Sequence, residues 1–480
     1  MSKNYTQQLL DQLEDINRIP RKSGNRGPIT EYFKKWAAKQ GFACREDHVQ
    51  NLVIEVPGTK GYENSPVVVL QGHTDMVCEK TPESAHDFSK DPIEHVIEGD
   101  WLTAKDTSLG ADNGIGLAMA MVAATDDAIA HPPLELLFTT DEEVGLWGAD
   151  EIKPDFFKGR IMINLDSEEL GIFTLGCAGS VVSHIDYKME TTGCARTLTG
   201  LTLKVGGFRG GHSGQDIHKE RANATAELIR GLEWLSRETP IRIASLSGGS
   251  AMNAISRSAE ALIVVPGEKK NAVETAWSQF GSMIAAENNV VETSAFGVAK
   301  ESAVPEKAFS EDDSRSLVEK LRLVPHGVLH MNAELPEQLE TSLNFGVLLT
   351  TEKGIRITTM QRSAVKSRLQ EITDRVETFA RITGGKYTLE IFSDPWQPDW
   401  KSPLVAKSCQ IWEDMFKKKP LLEVTHGGLE CGVIGNLIGG MDMISFGPDI
   451  EDPHSPDEKL RISSVEPVFG FLIKLLEELK

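Results

Sequence analysis

The sequence predicts an α/β protein with a mixed, mostly parallel sheet flanked by helices and an inserted α+β lid domain. Three observations support this prediction. Up to about residue 186, short β-branched segments alternate with helical ones, as in parallel sheets covered by helices on both faces. From residue 187 a β-α-β-β pattern appears and then recurs, and after residue 395 the first pattern returns. We therefore expect one domain built from residues 1–186 and 396–480, with residues 187–395 inserted as two similar α+β halves.

Hydrophobic periodicity defines the elements of the first domain. The segment VVVLQG (67–72) is a β-branched run that ends in glycine, which suits a strand buried on both faces. Residues 113–127 are mostly small and apolar, so they predict a helix that packs closely on a sheet. The other predicted elements are helices at 5–19, 28–40 and 403–417, and strands at 134–140, 160–166 and 441–447.

The inserted domain follows a different pattern. Its first half is predicted as a strand at 201–207, a helix at 219–237 and strands at 241–249 and 260–266. Its second half is predicted as a helix at 311–322, strands at 344–354 and 355–361, a helix at 364–382 and a strand at 386–392.

Composition excludes several classes of function. The 480 residues are 40% hydrophobic and 25% charged, which is typical of a globular protein with two or three domains. The 50 basic and 71 acidic residues give a net charge of −21, which disfavours nucleic acids and anionic membranes as partners. The six cysteines are scattered and no apolar run matches a signal peptide or a membrane span, so we expect a cytoplasmic protein with reduced thiols.

Five residues of metal-binding type follow strand-like segments in the first domain. They are His73, Asp112, Glu143, Asp166 and His454. Because ligands of open α/β sheets bind beyond the carboxyl ends of the strands, we expect these side chains to converge. Two imidazoles and three carboxylates suit a pair of zinc-like ions, with Asp112 as the candidate bridge. Such a site predicts hydrolysis by a metal-activated water.

Each residue also has an ordinary interpretation. His73 could lie in a plain loop, the Glu142–Glu143 pair could be a solvated surface, Asp166 could cap a helix, and His454 could belong to a turn. The shared position after strand-like segments favours the metal site over these alternatives.

Two further acids lie next to the predicted ligands. Asp75 is two residues beyond His73, so on an extended segment it points to the same side and can accept the imidazole N–H. Glu142 adjoins a ligand and is free to move protons between the water and the leaving amine.

The segments HTDMV, ADNG, DEEVG, NLDS and DPHSPDE, in this order and spacing, resemble the M20 family of di-metal peptidases along essentially the whole chain. The resemblance implies two zinc ions per chain, replaceable by cobalt or manganese, bound by the five ligands, with Asp75 and Glu142 as catalytic residues. It also implies a cis peptide bond between Asp112 and Asn113.

The resemblance extends to substrate-binding residues in and near the inserted domain. His212, in GGHSG, matches a family histidine that stabilises the oxyanion, although a turn histidine in a glycine-rich loop is the alternative. Arg362 matches an arginine that binds the substrate carboxylate, but Met360 replaces the usual acid, so a surface role stays open. Asn253, Gly427 and Gly428 are further candidate contacts, and the role of His426 is left open.

These residues favour a cytoplasmic dipeptidase that acts on unblocked dipeptides, and the resemblance implies a homodimer. The resemblance alone implies a preference for Xaa-His, including β-alanyl-histidine (carnosine). A tripeptidase or an N-acyl-amino-acid deacylase with the same metals is the nearest alternative. A catalytically inactive scaffold is the alternative from another class, and the intact Glu142 disfavours it.

Overall fold

The computed structural model describes residues 4–480 and alternates helices with strands. The α-helices, in chain order, are α1 (Tyr5–Asn17), α2 (Arg26–Gln40), α3 (Ala111–Thr125), α4 (Trp147–Asp150), α5 (Ala224–Ser236), α6 (Lys270–Glu287), α7 (Glu311–Arg322), α8 (Lys366–Thr383), α9 (Pro403–Phe416), α10 (Glu430–Ile438) and α11 (Ile462–Glu478). A short 3-10 helix, Gly267–Lys269, precedes α6.

The strands match the predicted ones to within a few residues, and several more lie between them. They are β1 (Ala43–Glu46), β2 (Leu52–Val56), β3 (Val68–His73), β4 (His95–Glu98), β5 (Trp101–Ala104), β6 (Leu134–Thr139), β7 (Ile161–Asn164), β8 (Ile172–Cys177), β9 (Gly179–Lys188), β10 (Thr192–Gly193), β11 (Leu198–Gly206), β12 (Gly211–His212), β13 (Arg242–Gly248), β14 (Ala254–Ile255), β15 (Ala259–Pro266), β16 (Phe296–Ser302), β17 (Lys307–Ala308), β18 (Gly327–Met331), β19 (Leu339–Thr351), β20 (Gly354–Ser363), β21 (Lys386–Ser393), β22 (Leu421–Thr425), β23 (Asp442–Ser445), β24 (Ile450–Glu451) and β25 (Lys459–Arg461).

The chain divides into two compact units. The first unit comprises the chain up to Cys177 together with Trp396–Val424 and Leu429–Lys480. The second unit comprises Ala178–Pro395 and the four residues Thr425–Gly428. The first boundary therefore lies nine residues before the expected one at residue 186, and the segment with Gly427 and Gly428 belongs to the second unit.

The main sheet of the first unit is mixed, as the sequence predicts. Its strand order is β1-β2-β6-β3-β7-β23-β8-β22. The four central strands, β6, β3, β7 and β23, run parallel, whereas β1, β2 and β8 pair antiparallel to their neighbours. The register places His73 opposite Thr139 and Gln71 opposite Asn164, so the carboxyl ends of β3, β6 and β7 lie level at one edge. The loops that follow these strands therefore begin at this edge. Ligands of open α/β sheets bind at such an edge.

The small-residue segment forms α3, and its side chains are almost all buried. Close packing explains its composition: a Cβ added to Gly114 would lie 2.6 Å from Leu13 Cδ1 of α1. Leu9, Leu13 and Phe469 belong to the same buried core, so α1, α3 and α11 share one apolar layer beside the sheet. Close packing in this layer holds α3 in place, and with it the loop that leads into the helix.

The second unit contains two βαββαβ halves that share one antiparallel sheet. The strand order is β16-β11-β15-β13-β19-β20-β9-β21. A further strand, β18, pairs with β19 and lies outside this order. The first half is β11-α5-β13-β15-α6-β16, and the second half is β9-α7-β19-β20-α8-β21. The first half is thus inserted in the chain between β9 and α7. Since β9 is the first strand of the second half, the boundary expected at residue 186 falls inside it.

Two further observations bear on the expectations from composition. All six cysteines are free thiols. Within residues 4–480, no helix combines the length and the apolar character needed to cross a membrane.

Candidate metal centre

The first unit brings all five predicted ligands together at one sheet edge. His73 is the last residue of β3, Asp112 lies in the first turn of α3, and Glu143 and Asp166 lie in the loops after β6 and β7. His454 lies in the loop between β24 and β25, in the left-handed conformation. The expected cis peptide bond between Asp112 and Asn113 is present.

Asp112 lies between the two imidazoles. His73 Nε2 is 2.9 Å from Asp112 Oδ1, and His454 Nε2 is 3.1 Å from Asp112 Oδ2. A second carboxylate faces each imidazole: Asp166 Oδ1 is 3.3 Å from His73 Nε2, and Glu143 Oε2 is 3.1 Å from His454 Nε2. The arrangement is thus two imidazole–carboxylate sets that share the carboxylate of Asp112.

These residues fit a pair of divalent ions. Ligand atoms of His73, Asp112 and Glu143 lie within 4.8 Å of one another. Oε1 of Glu143 is buried and has no hydrogen-bond partner among the described residues, so it has unused capacity to bind a cation. Imidazole nitrogens and carboxylate oxygens are ligands that zinc and related ions accept.

The electrostatics of the cluster also favour cations. Burial raises the pKa of Asp166 to about 7. Burial opposes the protonation of His73, but Asp166 and Asp112 outweigh it and raise the pKa of His73 well above its usual value. Hydrogen bonds to Asp112 and Glu143 raise the pKa of His454 to about 11. The carboxylates therefore hold protons on the imidazoles, and bound metal ions would displace those protons.

Asp75 positions the backbone beside the ligands. Its carboxylate accepts hydrogen bonds from the N–H of Glu142 at 3.0 Å and of Glu143 at 3.3 Å, and from Ser23 Oγ at 2.7 Å. The Nδ1 atom of His73 lies 3.1 Å from the carbonyl oxygen of Asp75 and 3.5 Å from its Oδ1. The expected contact to the imidazole thus goes first to the backbone carbonyl, while the carboxylate holds the loop that carries Glu142.

Glu142 lies beside this cluster in an environment that favours its protonated form. Burial raises its pKa well above the usual value, His73 opposes that shift, and the charges of Asp166, Glu430 and Glu143 add to it. A carboxylate whose pKa lies above its usual range is a stronger base, so it takes up a proton from water more readily. This is the property that a proton shuttle needs.

Sequence reasoning missed a buried carboxyl group behind the ligands. Glu430, at the start of α10, accepts hydrogen bonds of 2.6 Å from Gln71 Nε2 and Thr139 Oγ1, and burial raises its pKa to about 7. Asn164 Nδ2 donates to Gln71 Oε1 at 2.5 Å, which links β7 to β3. The only signal in the sequence was an acid within the otherwise apolar segment GGLECGVIG.

In the second unit, His212 and Arg362 form part of a separate cluster. The Nδ1 atom of His212 accepts hydrogen bonds from the N–H groups of Gly214 and Gln215, both at 3.3 Å, so the neutral ring carries its proton on Nε2. Burial and then the charge of Arg362 lower the pKa of His212. Arg362 is only 6% exposed, so the alternative that it has a surface role is wrong.

Arg362 contacts three uncharged groups of the second unit. Its guanidinium donates to Ser213 Oγ at 3.4 Å and to the carbonyl of His426 at 3.5 Å, and it contacts Met360 Sδ at 3.5 Å. Met360 thus occupies the position at which the resemblance implies an acid, and it contacts the guanidinium through its uncharged thioether.

The remaining predicted contacts are less constrained. The carbonyl of Asn253 accepts a hydrogen bond of 2.8 Å from the N–H of Ser213, while the Asn253 side chain is exposed. A Cβ added to Gly427 would meet only Thr425 Oγ1, at 3.6 Å, so the protein itself does not require glycine there. For Gly428 the structure shows only that it ends the short segment of the second unit.

His426, whose role the sequence left open, is a neutral buried imidazole. Its Nε2 lies 2.7 Å from Ser342 Oγ, and burial lowers its pKa to about 3. Its backbone carbonyl is one of the groups that hold Arg362. His426 is therefore a structural member of the cluster formed by His212, Arg362 and Ser213.

Comparison with known proteins agrees with this geometry. Residues 69–478 match the sequence pattern described as Peptidase family M20/M25/M40. The chain is 35% identical over 483 aligned residues to the cytosol non-specific dipeptidase of Escherichia coli K12, covering 100% of this chain and 99% of that protein.

The chain is also similar to solved structures. The crystal structure of an aminoacylhistidine dipeptidase from Vibrio alginolyticus superposes with a TM-score of 0.89 at 35% identity, covering 98% of this chain and 96% of that one. An aminopeptidase from Bacillus cereus shares the fold alone, with a TM-score of 0.57 and 14% identity over 99% of this chain and 98% of that one.

Proposed function

We propose that this protein, which belongs to peptidase family M20/M25/M40, is a two-metal dipeptidase that hydrolyses unblocked dipeptides. One observation carries the proposal: the carboxylate of Asp112 lies between the imidazoles of His73 and His454, and a further acid faces each imidazole. This is the ligand arrangement that two ions sharing one carboxylate need.

The metal ions are proposed to be zinc, with cobalt or manganese as substitutes. His73, Asp166 and Asp112 Oδ1 would hold one ion, and His454, Glu143 and Asp112 Oδ2 the other. Two divalent ions bound in this way supply a Lewis-acidic centre that activates water and polarises the peptide carbonyl. Three carboxylates against two divalent ions leave a net charge of roughly +1.

Glu142 is proposed to accept the proton of the attacking water and to return it to the leaving amine. Its raised pKa makes its carboxylate a stronger base than an ordinary one, which favours uptake of a proton from water. Asp75 is proposed to keep Glu142 and His73 in place through its bonds to the Glu142 N–H and the His73 ring.

The residues of the second unit are proposed to bind the substrate. The N–H on Nε2 of His212 is a donor suited to the oxyanion that develops from the peptide carbonyl. The Arg362 guanidinium is suited to the free carboxylate of a dipeptide, because it is buried and its planar fork of N–H donors matches the two carboxylate oxygens. Asn253 and the amides of Gly427 and Gly428 are proposed as further substrate contacts.

Within dipeptides we propose a preference for Xaa-His, including carnosine. The preference is supported by the resemblance to the Vibrio alginolyticus protein, whose name describes an aminoacylhistidine dipeptidase. The Escherichia coli relative is named a non-specific dipeptidase, which supports a broader range. Its name also supports a cytosolic location. A tripeptidase or an N-acyl-amino-acid deacylase with the same metal centre is the second candidate.

A substrate panel on metal-depleted and reconstituted protein tests the proposal. Chelator is expected to abolish activity, and zinc, cobalt or manganese to restore it. Unblocked dipeptides, with Xaa-His among the fastest, are expected to be hydrolysed faster than tripeptides and N-acyl amino acids. Faster hydrolysis of tripeptides or acylated substrates would favour the second candidate, and activity that survives complete metal removal would contradict the metal centre.

We further propose that the protein is a homodimer. Light scattering during size-exclusion chromatography is expected to give twice the chain mass of 52.7 kDa. A mass equal to one chain would contradict this.

A further inference from the structure

The loop that precedes Asp112 folds around a buried carboxylate from a distant part of the chain. Glu458 is 2% exposed, and it accepts hydrogen bonds from the N–H groups of four successive residues. The donors are Leu109 at 2.7 Å, Gly110 and Ala111 at 2.8 Å, and Asp112 at 3.3 Å. Because α3 begins at Ala111, the first N–H groups of the helix have no partner within it, and Glu458 supplies one.

A buried cation accompanies this carboxylate. The guanidinium of Arg21 is 2% exposed and interacts electrostatically with Glu458. It also donates to the carbonyl oxygens of Gly110, Thr74 and Asp75, the last at 2.8 Å. Arg21 therefore offsets the burial of a negative charge and ties the loop after β3 to the loop before α3.

Glu458 also belongs to the segment that carries a ligand. His454 lies four residues earlier, and its Nε2 is 3.1 Å from both Asp112 Oδ2 and Glu143 Oε2. His454 and Asp112 are 342 residues apart in the chain, so their separation depends on how the two segments dock. The four hydrogen bonds to Glu458 are a docking contact between the segments.

The other half of the ligand set depends less on this contact. His73 ends β3 and Asp166 follows β7, and these neighbouring parallel strands are fixed by the sheet. A disturbance at Glu458 reaches both ions through the shared Asp112, but it also displaces His454, whereas the sheet holds His73 and Asp166 in place.

We propose that Glu458 is a positioning residue that sets the affinity of the ion held by His454, Glu143 and Asp112. This inference rests on the proposed two-metal function. The affinity of this ion is proposed to depend on Glu458 more strongly than the affinity of the other ion does.

Stepwise zinc titration of metal-depleted protein by calorimetry tests the inference. In the wild type two ions are expected to bind tightly. Glu458→Gln keeps the size of the side chain but places an amide against N–H donors, and it is expected to weaken one of the two ions by ~10–100-fold and the other, which shares only Asp112 with this contact, by less than ~10-fold. Asp457→Asn removes an exposed charge from the adjacent residue and is the matched control, expected to bind both ions normally.

Glu458→Asp separates charge from packing. It keeps the anion on a shorter side chain, so it is expected to recover part of the affinity lost in Glu458→Gln, whereas a purely steric role predicts the isosteric Gln to be the better substitute. The thermal midpoint of each metal-free variant shows whether it is folded, and if Gln does not fold, the Asp variant carries the test.

The possible outcomes distinguish the two claims. Two ions bound normally by folded Glu458→Gln, or both ions weakened equally, would overturn the role of Glu458 and leave the metal centre intact. A wild type that does not bind two ions would overturn the proposed function together with this inference.

Discussion

The metal centre of the first unit and the histidine–arginine cluster of the second unit are built on opposite charge. In the first, carboxylates raise the pKa of His73 and His454, so that the imidazoles hold protons. In the second, burial and Arg362 lower the pKa of His212 and His426, so that the imidazoles stay neutral. The surroundings of the imidazoles thus stabilise positive charge in the first unit. In the second unit they stabilise the neutral ring, which can donate a hydrogen bond to an anion.

The two units therefore differ in the roles that we propose for them. We propose that the carboxylate-rich cluster binds metal ions and moves protons, whereas the buried guanidinium and the neutral imidazole recognise a carboxylate and an oxyanion. Changes in the first unit should therefore affect metal content or turnover, and changes in the second should affect turnover or substrate affinity without metal loss.

The largest effect is expected from Glu142→Ala. Without the proton shuttle, kcat should fall by ~10²–10⁴-fold, while the protein still binds two metal ions per chain because Glu142 is not a ligand. Parallel kinetics and elemental analysis measure both quantities, with Glu151→Ala, a half-buried acid of the same unit that pairs with His48, as the control. Unchanged turnover would favour a different base or an inactive scaffold, and lost metal would place Glu142 among the ligands.

The next effect is expected from His212→Ala. Removal of one oxyanion donor should lower kcat by ~10²–10³-fold with the metal content unchanged. His330→Ala, a histidine of the same unit outside the cluster, should leave kcat within about twofold. If His212→Ala released metal, the proposed separation of the two regions would be wrong.

A smaller effect is expected from Arg362→Lys. Loss of the guanidinium fork should raise KM for dipeptides by ~10–100-fold, with a smaller change in kcat. A dipeptide with an amidated C-terminus provides the decisive comparison, since it lacks the carboxylate and should be hydrolysed equally poorly by both proteins. Arg356→Lys, an exposed position on the same strand β20 paired with Asp186, is the matched control. An equal penalty on both substrates would show that Arg362 has another role.

The smallest effect concerns stability in acid. His326 of the second unit is half-buried, and loss of solvation lowers its pKa to about 4. Because the unfolded chain takes up a proton near pH 6.5 and the folded one does not, this residue should destabilise the fold as the pH falls from about 6.5 towards 4, by about 1 kcal/mol between pH 6.5 and 5.5.

Urea unfolding of the second unit as a function of pH measures this loss. His326→Asn keeps an acceptor for the Phe345 N–H, which His326 Nδ1 accepts at 3.2 Å, and should flatten the pH dependence. The exposed His48→Asn should leave it unchanged. A wild type whose stability does not fall over this pH range would contradict the account.

The sequence predicted the elements of the first unit and the convergence of its ligands well, because local periodicity and strand ends carry that information. It placed the domain boundary inside β9, since nothing in that segment shows that its partners are β20 and β21, hundreds of residues away. It also missed Glu430 and Glu458, which look like surface acids until the fold buries them among polar groups. Long-range pairing of this kind has no local signature.

Other details depended on geometry finer than residue spacing. The pattern His-x-Asp predicted a contact between the His73 ring and the Asp75 carboxylate, but the nearer acceptor is the Asp75 carbonyl. The replacement of an acid by Met360 put Arg362 in doubt, yet its burial and its contact to Ser213 keep it inside the cluster. Side-chain direction and burial, rather than residue type, decided both outcomes.

The most direct test of the central claim is anomalous diffraction at the zinc edge from crystals grown with excess zinc. The account predicts two peaks ~3.5–4 Å apart. Asp112 should lie between them, with His73 at one peak and His454 at the other. A single peak, or two ions bound without His73 and His454, would contradict the proposed two-metal centre.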